Sequence, residues 1–250
     1  MPFGLKSSPE EYQRRQDQVL EGLEGVKAVA DDILIIGQGS TMEEAIENHN
    51  ENLRNLMKRC QEKNLKLNKN KAKLAMTEVK FISHLLTDQG LKPDKDKVEA
   101  VLQMPKPENV TGVRRIIGFV NYLARFLPRL SDLCEPLRKL ILKETAWHWN
   151  ETHDQAMDAI KKAVTEHPIL SYYKPDEELT LQTDSSETGM GCALIQHGQP
   201  VAYASRALLD TETRYAQIEK ELLAVVWGLE RFHQYTYGRP VLVQSDHKPL

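Results

Sequence analysis

The sequence contains little cysteine, with only three such residues among 250. They are few, odd in number and far apart, which excludes a disulfide framework and a cysteine-based zinc site. The three are Cys60, Cys134 and Cys192. The sequence also lacks an apolar run near the roughly 18 residues of a membrane span, and its N-terminus has no secretory signal. We therefore expect an intracellular protein, cytoplasmic or nuclear, that is neither secreted nor membrane-bound.

A large excess of either charge is also lacking. The 33 Lys and Arg residues nearly balance the 36 Asp and Glu residues, for a net charge of −3. This balance excludes a uniformly basic nucleic-acid coat protein but not local basic patches. Hydrophobic residues make up 40% and charged residues 28% of the chain, which is typical of a folded protein with a buried core. The length fits one large domain or two to three smaller ones.

The most basic window holds five lysines and no acidic residue between positions 63 and 73. They are Lys63, Lys66, Lys69, Lys71 and Lys73. Contact with a phosphate backbone is one interpretation, and a solvated end of a basic helix is the other. Arg114 and Arg115 lie largely off the apolar stripe of a helix predicted at about 111–127, so they could extend the basic surface.

Two acidic residues stand between short apolar runs near the N-terminus. Residues 26–30 and 33–36 are β-prone and flank Asp31 and Asp32, which predicts a hairpin with the acids at its tip. Adjacent carboxylates that are partly desolvated by the flanking strands repel each other, and a divalent cation such as Mg²⁺ relieves the repulsion. A solvated acidic turn is the alternative.

The C-terminal part predicts a mixed sheet in the order β-β-β-α-β. Asp184 ends the first of these strands, Asp246 ends the last, and Glu221 lies on the intervening helix. Acids from a strand, a helix and a strand can converge on two metal ions suited to phosphodiester hydrolysis. Three separate surface acids are the alternative.

The helix offers a second acid, Glu219, and the spacing alone does not separate it from Glu221. A helical periodicity predicts that Glu221 lies at the edge of the buried stripe, facing the sheet without being buried. The predicted stripe consists of Ile218, Leu222, Val225 and Leu229.

Several stretches, in order along the whole chain, resemble the reverse transcriptases and ribonucleases H of gypsy-class LTR retrotransposons. The N-terminal matches are MPFGLKSSP at 1–9 with Gln13-Arg14, VADDIL at 29–34, LKLN at 65–68 with Lys71, FISH at 81–84, GLKPD at 90–94 and GFVNY at 118–122. The C-terminal matches are TDSS at 183–186, EKELLA at 219–224 and SDHKPL at 245–250.

The resemblance implies an α+β or α/β fold in three parts. These are a partial reverse-transcriptase palm at 1–88, a helical thumb and connection at 89–145, and a ribonuclease H-like mixed β-sheet domain at 146–250. It further implies that the chain is truncated at both ends. The fingers and an earlier metal-binding Asp would be missing, which leaves the polymerase site incomplete, and so would a fourth nuclease acid.

The resemblance also implies roles for individual residues. Glu221 is preferred over Glu219, because the acid that opens Glu-Leu-Leu-Ala matches the family's catalytic position. The implied catalytic and metal-binding residues are Asp184, Glu221 and Asp246 in the nuclease and Asp31 and Asp32 in the polymerase. The implied nucleotide- and template-binding residues are Phe3, Gly4 and Lys71. The implied nucleic-acid backbone contacts are Lys63, Lys66, Lys69, Lys73, Arg114 and Arg115.

Two positions depart from the family pattern. Val29 stands where the family has an aromatic residue before the Asp pair, which would alter the nucleotide pocket. Ser83 stands where glycine is common, which implies a strained backbone turn at this serine.

The implied function is that of a retroelement RNA-directed DNA polymerase and ribonuclease H fragment. Its cofactor would be Mg²⁺ or Mn²⁺, and its partners would be an RNA–DNA hybrid, a primer–template and a dNTP. No membrane partner is implied, and the resemblance does not determine the oligomeric state. One alternative is a catalytically inactive remnant that binds nucleic acid through the lysines of 63–73. Another is a non-functional reading frame that folds poorly.

Overall fold

The computed structural model of the chain describes residues 5–142 and 145–245. Of the predicted site residues, Phe3, Gly4 and Asp246 lie outside this part. The chain divides into two compact units, Met1–Ile82 and Ser83–Leu250. Helices and sheets are mixed, so the predicted fold class is confirmed. The predicted three-part division at 88 and 145 stays a prediction.

The first unit pairs two helices with a β-hairpin. Its elements are α1 (Ser8–Leu20), β1 (Val26–Val29), β2 (Asp32–Ile35), α2 (Met42–Glu62), a 3₁₀ turn (Lys69–Lys71) and β3 (Glu78–Phe81). The side chain of Thr41 accepts a hydrogen bond from the Glu44 amide and so caps the start of α2. The small core consists of Leu20, Val26, Leu56 and Cys60.

The second unit begins with a hairpin and a group of helices. These elements are β4 (His84–Thr87), β5 (Gly90–Pro93), α3 (Lys95–Leu102), α4 (Val110–Tyr122), a 3₁₀ turn (Ala124–Phe126), α5 (Leu130–Leu133), α6 (Glu135–Lys139) and α7 (Glu151–Thr165). Ser83 adopts a φ of +60°, which agrees with the strained backbone expected there. The helices bury a core that includes Val113, Val120, Leu137 and Ile160.

A four-stranded sheet with one long helix completes this unit. Its elements are β6 (Thr180–Ser185), β7 (Gly189–Gln196), β8 (Gln199–Ala207), a 3₁₀ turn (Glu212–Arg214), α8 (Gln217–Arg231), α9 (His233–Thr236) and β9 (Leu242–Ser245). The strand order is β8-β7-β6-β9. Strand β9 runs parallel to β6, whereas the other pairs are antiparallel. The predicted order β-β-β-α-β is therefore confirmed.

Helix α8 buries the predicted stripe only in part, because Val225 and Leu229 are half-buried whereas the other two members are exposed. Ile218 is 37% and Leu222 48% exposed. The buried face instead consists of Lys220, Glu221, Ala224 and Gly228. A Cβ on Gly228 would lie only 3.2 Å from Cδ2 of Leu181. The helix therefore approaches β6 through its smallest residues, because larger aliphatic side chains would hold it away from the sheet.

All three cysteines are free and buried. Burial raises the pKa of the Cys134 thiol to about 11 and that of Cys192 to about 12. Both thiols stay protonated at neutral pH and are poor nucleophiles. Within residues 5–142 and 145–245, none of the helices has the length and apolar character needed to cross a membrane.

Candidate functional site

The predicted acidic hairpin is present in the first unit. Val29 pairs with Asp32, so Ala30 and Asp31 form a two-residue loop, in which Ala30 has a φ of +50°. Both carboxylate-bearing residues are exposed, and the expected partial desolvation is therefore wrong. The strands are only four residues long, and Val29 beside the tip is itself 42% exposed, so the flanking apolar side chains do not cover the loop.

The side chain of Gln13 on α1 holds this hairpin near its tip. Its Nε2 donates to the Ala28 carbonyl at 3.0 Å and to Oδ1 of Asp17 at 2.8 Å. Its Oε1 accepts from the Ala30 amide at 2.8 Å. Sequence reasoning included Gln13 in the resemblance but missed this contact, because nothing in the spacing of α1 and the hairpin indicates which side chain faces the loop.

We expect Gln13→Ala to loosen the hairpin tip without unfolding the unit. The substitution removes the acceptor of the Ala30 amide, and a single hydrogen bond contributes about 1 kcal/mol. The exchange rate of the Ala30 amide hydrogen, measured by NMR, should therefore rise about fivefold.

Gln18→Ala on the same helix is the matched control, because residue 18 is exposed and should leave the Ala30 amide unaffected. Equal exchange rates for Ala30 in the wild type and in Gln13→Ala would contradict the assignment of this clamp.

In the second unit, Glu221 is a buried carboxylate, only 1% exposed, so the prediction that it faces the sheet without being buried is wrong. Its Oε1 accepts from the Ser185 hydroxyl at 2.6 Å and from Gln217 Nε2 at 3.0 Å. Its Oε2 accepts from the Ser245 hydroxyl at 3.3 Å. The side chain is thus held between the ends of β6 and β9 by groups that carry no charge.

Glu219 has a different environment from Glu221. It is exposed, and its Oε2 accepts from the Ala216 amide at 2.8 Å. This is one half of a capping box, the contact of the N3 glutamate with the backbone of the N-cap residue; Ala216 has no side chain that could make the other half. Glu219 therefore stabilises the helix N-terminus, whereas Glu221 contacts the sheet.

Asp184 lies on β6, and its Oδ2 is 3.2 Å from Nη1 of Arg129. Successive side chains of a strand point to opposite faces. Because Ser185 contacts Glu221 on α8, Asp184 lies on the other face of the sheet. Its side chain is 40% exposed.

The convergence of the three predicted acids stays a prediction. The parallel register pairs Thr183 with Ser245, and Asp246, the next residue in the chain, lies outside the described part. Within residues 5–142 and 145–245 there is no group of three or more His, Cys, Asp and Glu side chains that could hold a metal ion.

The donor chemistry of the two described acids nevertheless fits a hard divalent cation. Carboxylate oxygens are the ligands that Mg²⁺ prefers, and both Asp184 and Glu221 supply them. In the part of the chain that the structure describes, Glu221 is buried with hydrogen bonds from neutral donors alone. A buried charge without a counter-charge is costly, and a cation at this end of the sheet would offset that cost.

The predicted basic residues occupy two surfaces. The five lysines at 63–73 are all exposed and lie in the first unit, after α2. Arg114 and Arg115 are exposed on α4 in the second unit. They line a groove of about 340 Å³ together with Lys97, Gly118, Phe119 and Tyr122. A single basic track that joins the two surfaces stays a prediction.

Sequence comparison finds two families along the chain. Residues 1–86 match the family described as reverse transcriptase (RNA-dependent DNA polymerase). Residues 149–243 match the family described as an RNase H-like domain found in reverse transcriptase. The first match includes Asp31 and Asp32, and the second includes Asp184 and Glu221.

Solved structures with a similar fold come from foamy virus. A protease-reverse transcriptase in complex with double-stranded DNA aligns with a TM-score of 0.86 and 22% identity, over 99% of this chain and 52% of that chain. The protease-reverse transcriptase in complex with an RNA/DNA hybrid aligns with a TM-score of 0.81 and 22% identity, over 99% of this chain and 33% of that chain. At this identity the likeness establishes the fold.

Curated relatives match over the full length of the chain. The retrovirus-related Pol polyprotein from transposon 297 of Drosophila melanogaster is 32% identical over 100% of this chain and 23% of its own length. The corresponding polyprotein from transposon 412 of the same organism is 33% identical over 100% of this chain and 20% of its own. The Tf2-3 polyprotein of Schizosaccharomyces pombe is 29% identical over 100% of this chain and 19% of its own. The chain thus spans about a fifth of these relatives, and it belongs to the retrotransposon Pol polyproteins, with a reverse transcriptase region followed by an RNase H-like region.

Proposed function

We propose that the C-terminal unit of this chain hydrolyses the RNA strand of RNA–DNA hybrids with the help of Mg²⁺ or Mn²⁺. The observation that carries the proposal is the buried carboxylate of Glu221, which is hydrogen-bonded to Ser185 on β6, the residue after Asp184. Hybrid recognition would use backbone contacts and helix shape rather than base sequence.

The residues around the proposed metal site have distinct parts in this chemistry. Ser185 and Gln217 hold the Glu221 carboxylate in one orientation, and Asp184 presents a partly exposed carboxylate from the adjacent position of β6. Asp246 is the third proposed ligand by resemblance. Asp184 and Glu221 lie on opposite faces of the sheet but at the same end of β6, and a divalent cation held by these groups at that end would activate water and stabilise the leaving 3′ oxygen of the cleaved phosphodiester.

We infer a polymerase role for the first unit from family membership. Asp31 and Asp32 would bind metal at the exposed hairpin tip, and Phe3, Gly4 and Lys71 would contact the incoming dNTP and the template. Nucleotidyl transfer to a primer–template is the corresponding reaction. Its support here is the match to reverse transcriptases over residues 1–86 and the hairpin that displays both acids.

The nuclease proposal is tested with the purified chain and a hybrid labelled on its RNA strand. We expect cleavage of the RNA strand that requires Mg²⁺ or Mn²⁺, stops with a chelator and spares single-stranded RNA of the same sequence. A hybrid left uncut under conditions in which a complete ribonuclease H cuts it would refute the proposal.

Nucleic-acid binding without catalysis is the second candidate, favoured by the five exposed lysines at 63–73. Hybrid affinity would then fall steeply with salt, because bound phosphates release counterions. Replacing these lysines with glutamine should weaken binding and flatten the salt dependence. Unchanged affinity would exclude this surface as a binding site.

A further inference from the structure

The start of α5 lies across the sheet on the face that carries Asp184. In the register of β6, β7 and β8, Asp184 pairs with Gly191, and Gly191 pairs with Ser205. The segment 129–132 follows this row of residues. At its far end, the amide of Ser131 donates to the Ser205 hydroxyl at 2.9 Å.

Arg129 is placed over the near end of the same row. Its Nη1 is 3.2 Å from Oδ2 of Asp184, and its Nε donates to Oδ2 of Asp132 at 3.2 Å. A Cβ on Gly191 would lie 3.8 Å from Cγ of Arg129, so the aliphatic part of the Arg129 side chain lies over the sheet at this glycine. The guanidinium therefore bridges an acid of its own segment and the acid of the sheet.

A second contact fastens the segment to the turn after Asp184. The Ser186 hydroxyl donates to Oδ1 of Asp132 at 2.9 Å. A Cβ on Gly189 would lie 2.6 Å from this same Oδ1 and 2.7 Å from the Ser131 hydroxyl oxygen. Only a residue without a side chain allows the segment to sit this close to β7.

The backbone of Arg129 also carries a cost at this site. Its φ is +53° and its ψ +30°, a left-handed conformation that is unfavourable for residues other than glycine. Arg129 makes its contacts with Asp132, Asp184 and Gly191 while its backbone is in this strained conformation.

We propose that Arg129 is a positioning residue that neutralises Asp184 and has to release it when a divalent cation binds, so that the start of α5 sets the metal affinity of the nuclease site. The proposal rests on the assignment of Asp184 as a metal ligand in the proposed function. The Arg129 guanidinium and a metal ion would compete for the Asp184 carboxylate, because each is a cation that binds the same oxygen atoms.

The exposure of the pair makes the release feasible. The Arg129 side chain is 58% and the Asp184 side chain 40% exposed. Ion pairs this accessible are weak and screened by salt, so a divalent cation can displace the guanidinium. Asp132 remains as the partner of Arg129 after the exchange, which leaves the freed guanidinium with a counter-charge.

The test is a titration of the metal alone, with Mn²⁺ binding followed by electron paramagnetic resonance. We expect Arg129→Gln to bind Mn²⁺ roughly two- to fivefold more tightly than the wild type, the range for loss of an exposed ion pair. Arg129→Gly should show the same gain. Glycine also relieves the left-handed strain, so the melting temperature of Arg129→Gly should equal or exceed that of the wild type. This variant therefore keeps the test valid if Arg129→Gln misfolds.

Two further variants sharpen the interpretation. Arg129→Lys keeps a positive charge near Asp184 and should return the affinity towards the wild-type value. Lys162→Gln removes one positive charge from the exposed surface of α7 and should leave Mn²⁺ binding unchanged. Equal or weaker binding by both Arg129→Gln and Arg129→Gly, or no detectable binding to any variant, would overturn the proposal.

The outcome is separable from that of the proposed function. Metal binding is measured without nucleic acid, so tighter Mn²⁺ binding by the Arg129 variants with no hybrid cleavage by any variant would refute the nuclease proposal alone. Cleavage by the wild type with unaltered Mn²⁺ affinity of the Arg129 variants would refute the role of Arg129 alone.

Discussion

Glu221→Gln is expected to lower the rate of hybrid cleavage by at least about 100-fold. Loss of even an outer partner of a metal ligand typically costs 10- to 100-fold in metal affinity or activity, and this change removes the charge of a proposed ligand itself. The amide retains the size of the carboxylate and can still accept from Ser185, so the fold should persist. Single-turnover cleavage of the labelled hybrid, alongside a melting curve, measures both.

Glu219→Gln is the matched control for this prediction. It makes the same chemical change two residues earlier on α8, where the side chain is exposed and caps the helix. Glutamine also serves in a capping box, so cleavage and stability should both stay near wild-type values. Glu221→Gln with cleavage within tenfold of the wild type, or equal losses from both variants, would contradict the assigned role of Glu221.

Leu181→Ala is expected to lower the free energy of unfolding of the second unit by about 3 kcal/mol, because it leaves a cavity at a fully buried position. Leu181 is 0% exposed and lies under Gly228 of α8, where an added Cβ would come within 3.2 Å of its Cδ2. In a unit of this size the melting temperature should fall by roughly 6–12 °C. At temperatures below the melting transition, hybrid cleavage should also be slower, because Glu221 is then held less rigidly against β6.

Leu209→Ala deletes the same atoms at a position that is 63% exposed. Surface substitutions of this kind change stability by no more than about 0.5 kcal/mol. Thermal unfolding of the two variants, followed by circular dichroism, compares them directly. Similar destabilisation by both would show that Leu181 does not occupy the core beneath α8.

The local pattern was sufficient for the elements that depend on neighbours in the chain. Two β-prone runs around Asp31 and Asp32 predicted the hairpin, and its register leaves the acids at the tip. The helix predicted at about 111–127 is found at Val110–Tyr122, followed by the 3₁₀ turn at Ala124–Phe126. In both cases the signal is a short-range periodicity that the backbone satisfies without distant contacts.

The exposure of side chains was less predictable. The spacing on α8 placed Ile218 and Leu222 in the core, yet the sheet receives Ala224 and Gly228. Both faces of this helix carry apolar residues, so periodicity alone did not identify the buried one. The choice depends on how closely the helix approaches Leu181, a contact between residues 47 positions apart in the sequence.

Sequence by itself determined the family of this protein, the β-β-β-α-β order of its C-terminal sheet, and the acids and lysines available for chemistry. Tertiary structure alone decided that Glu221 is buried against the sheet, that Gln13 holds the acidic hairpin, and that Arg129 reaches Asp184. Motifs and periodicities arise from residues close together in the chain. Charge pairing and burial at these sites instead depend on side chains brought together by folding from positions up to 55 residues apart.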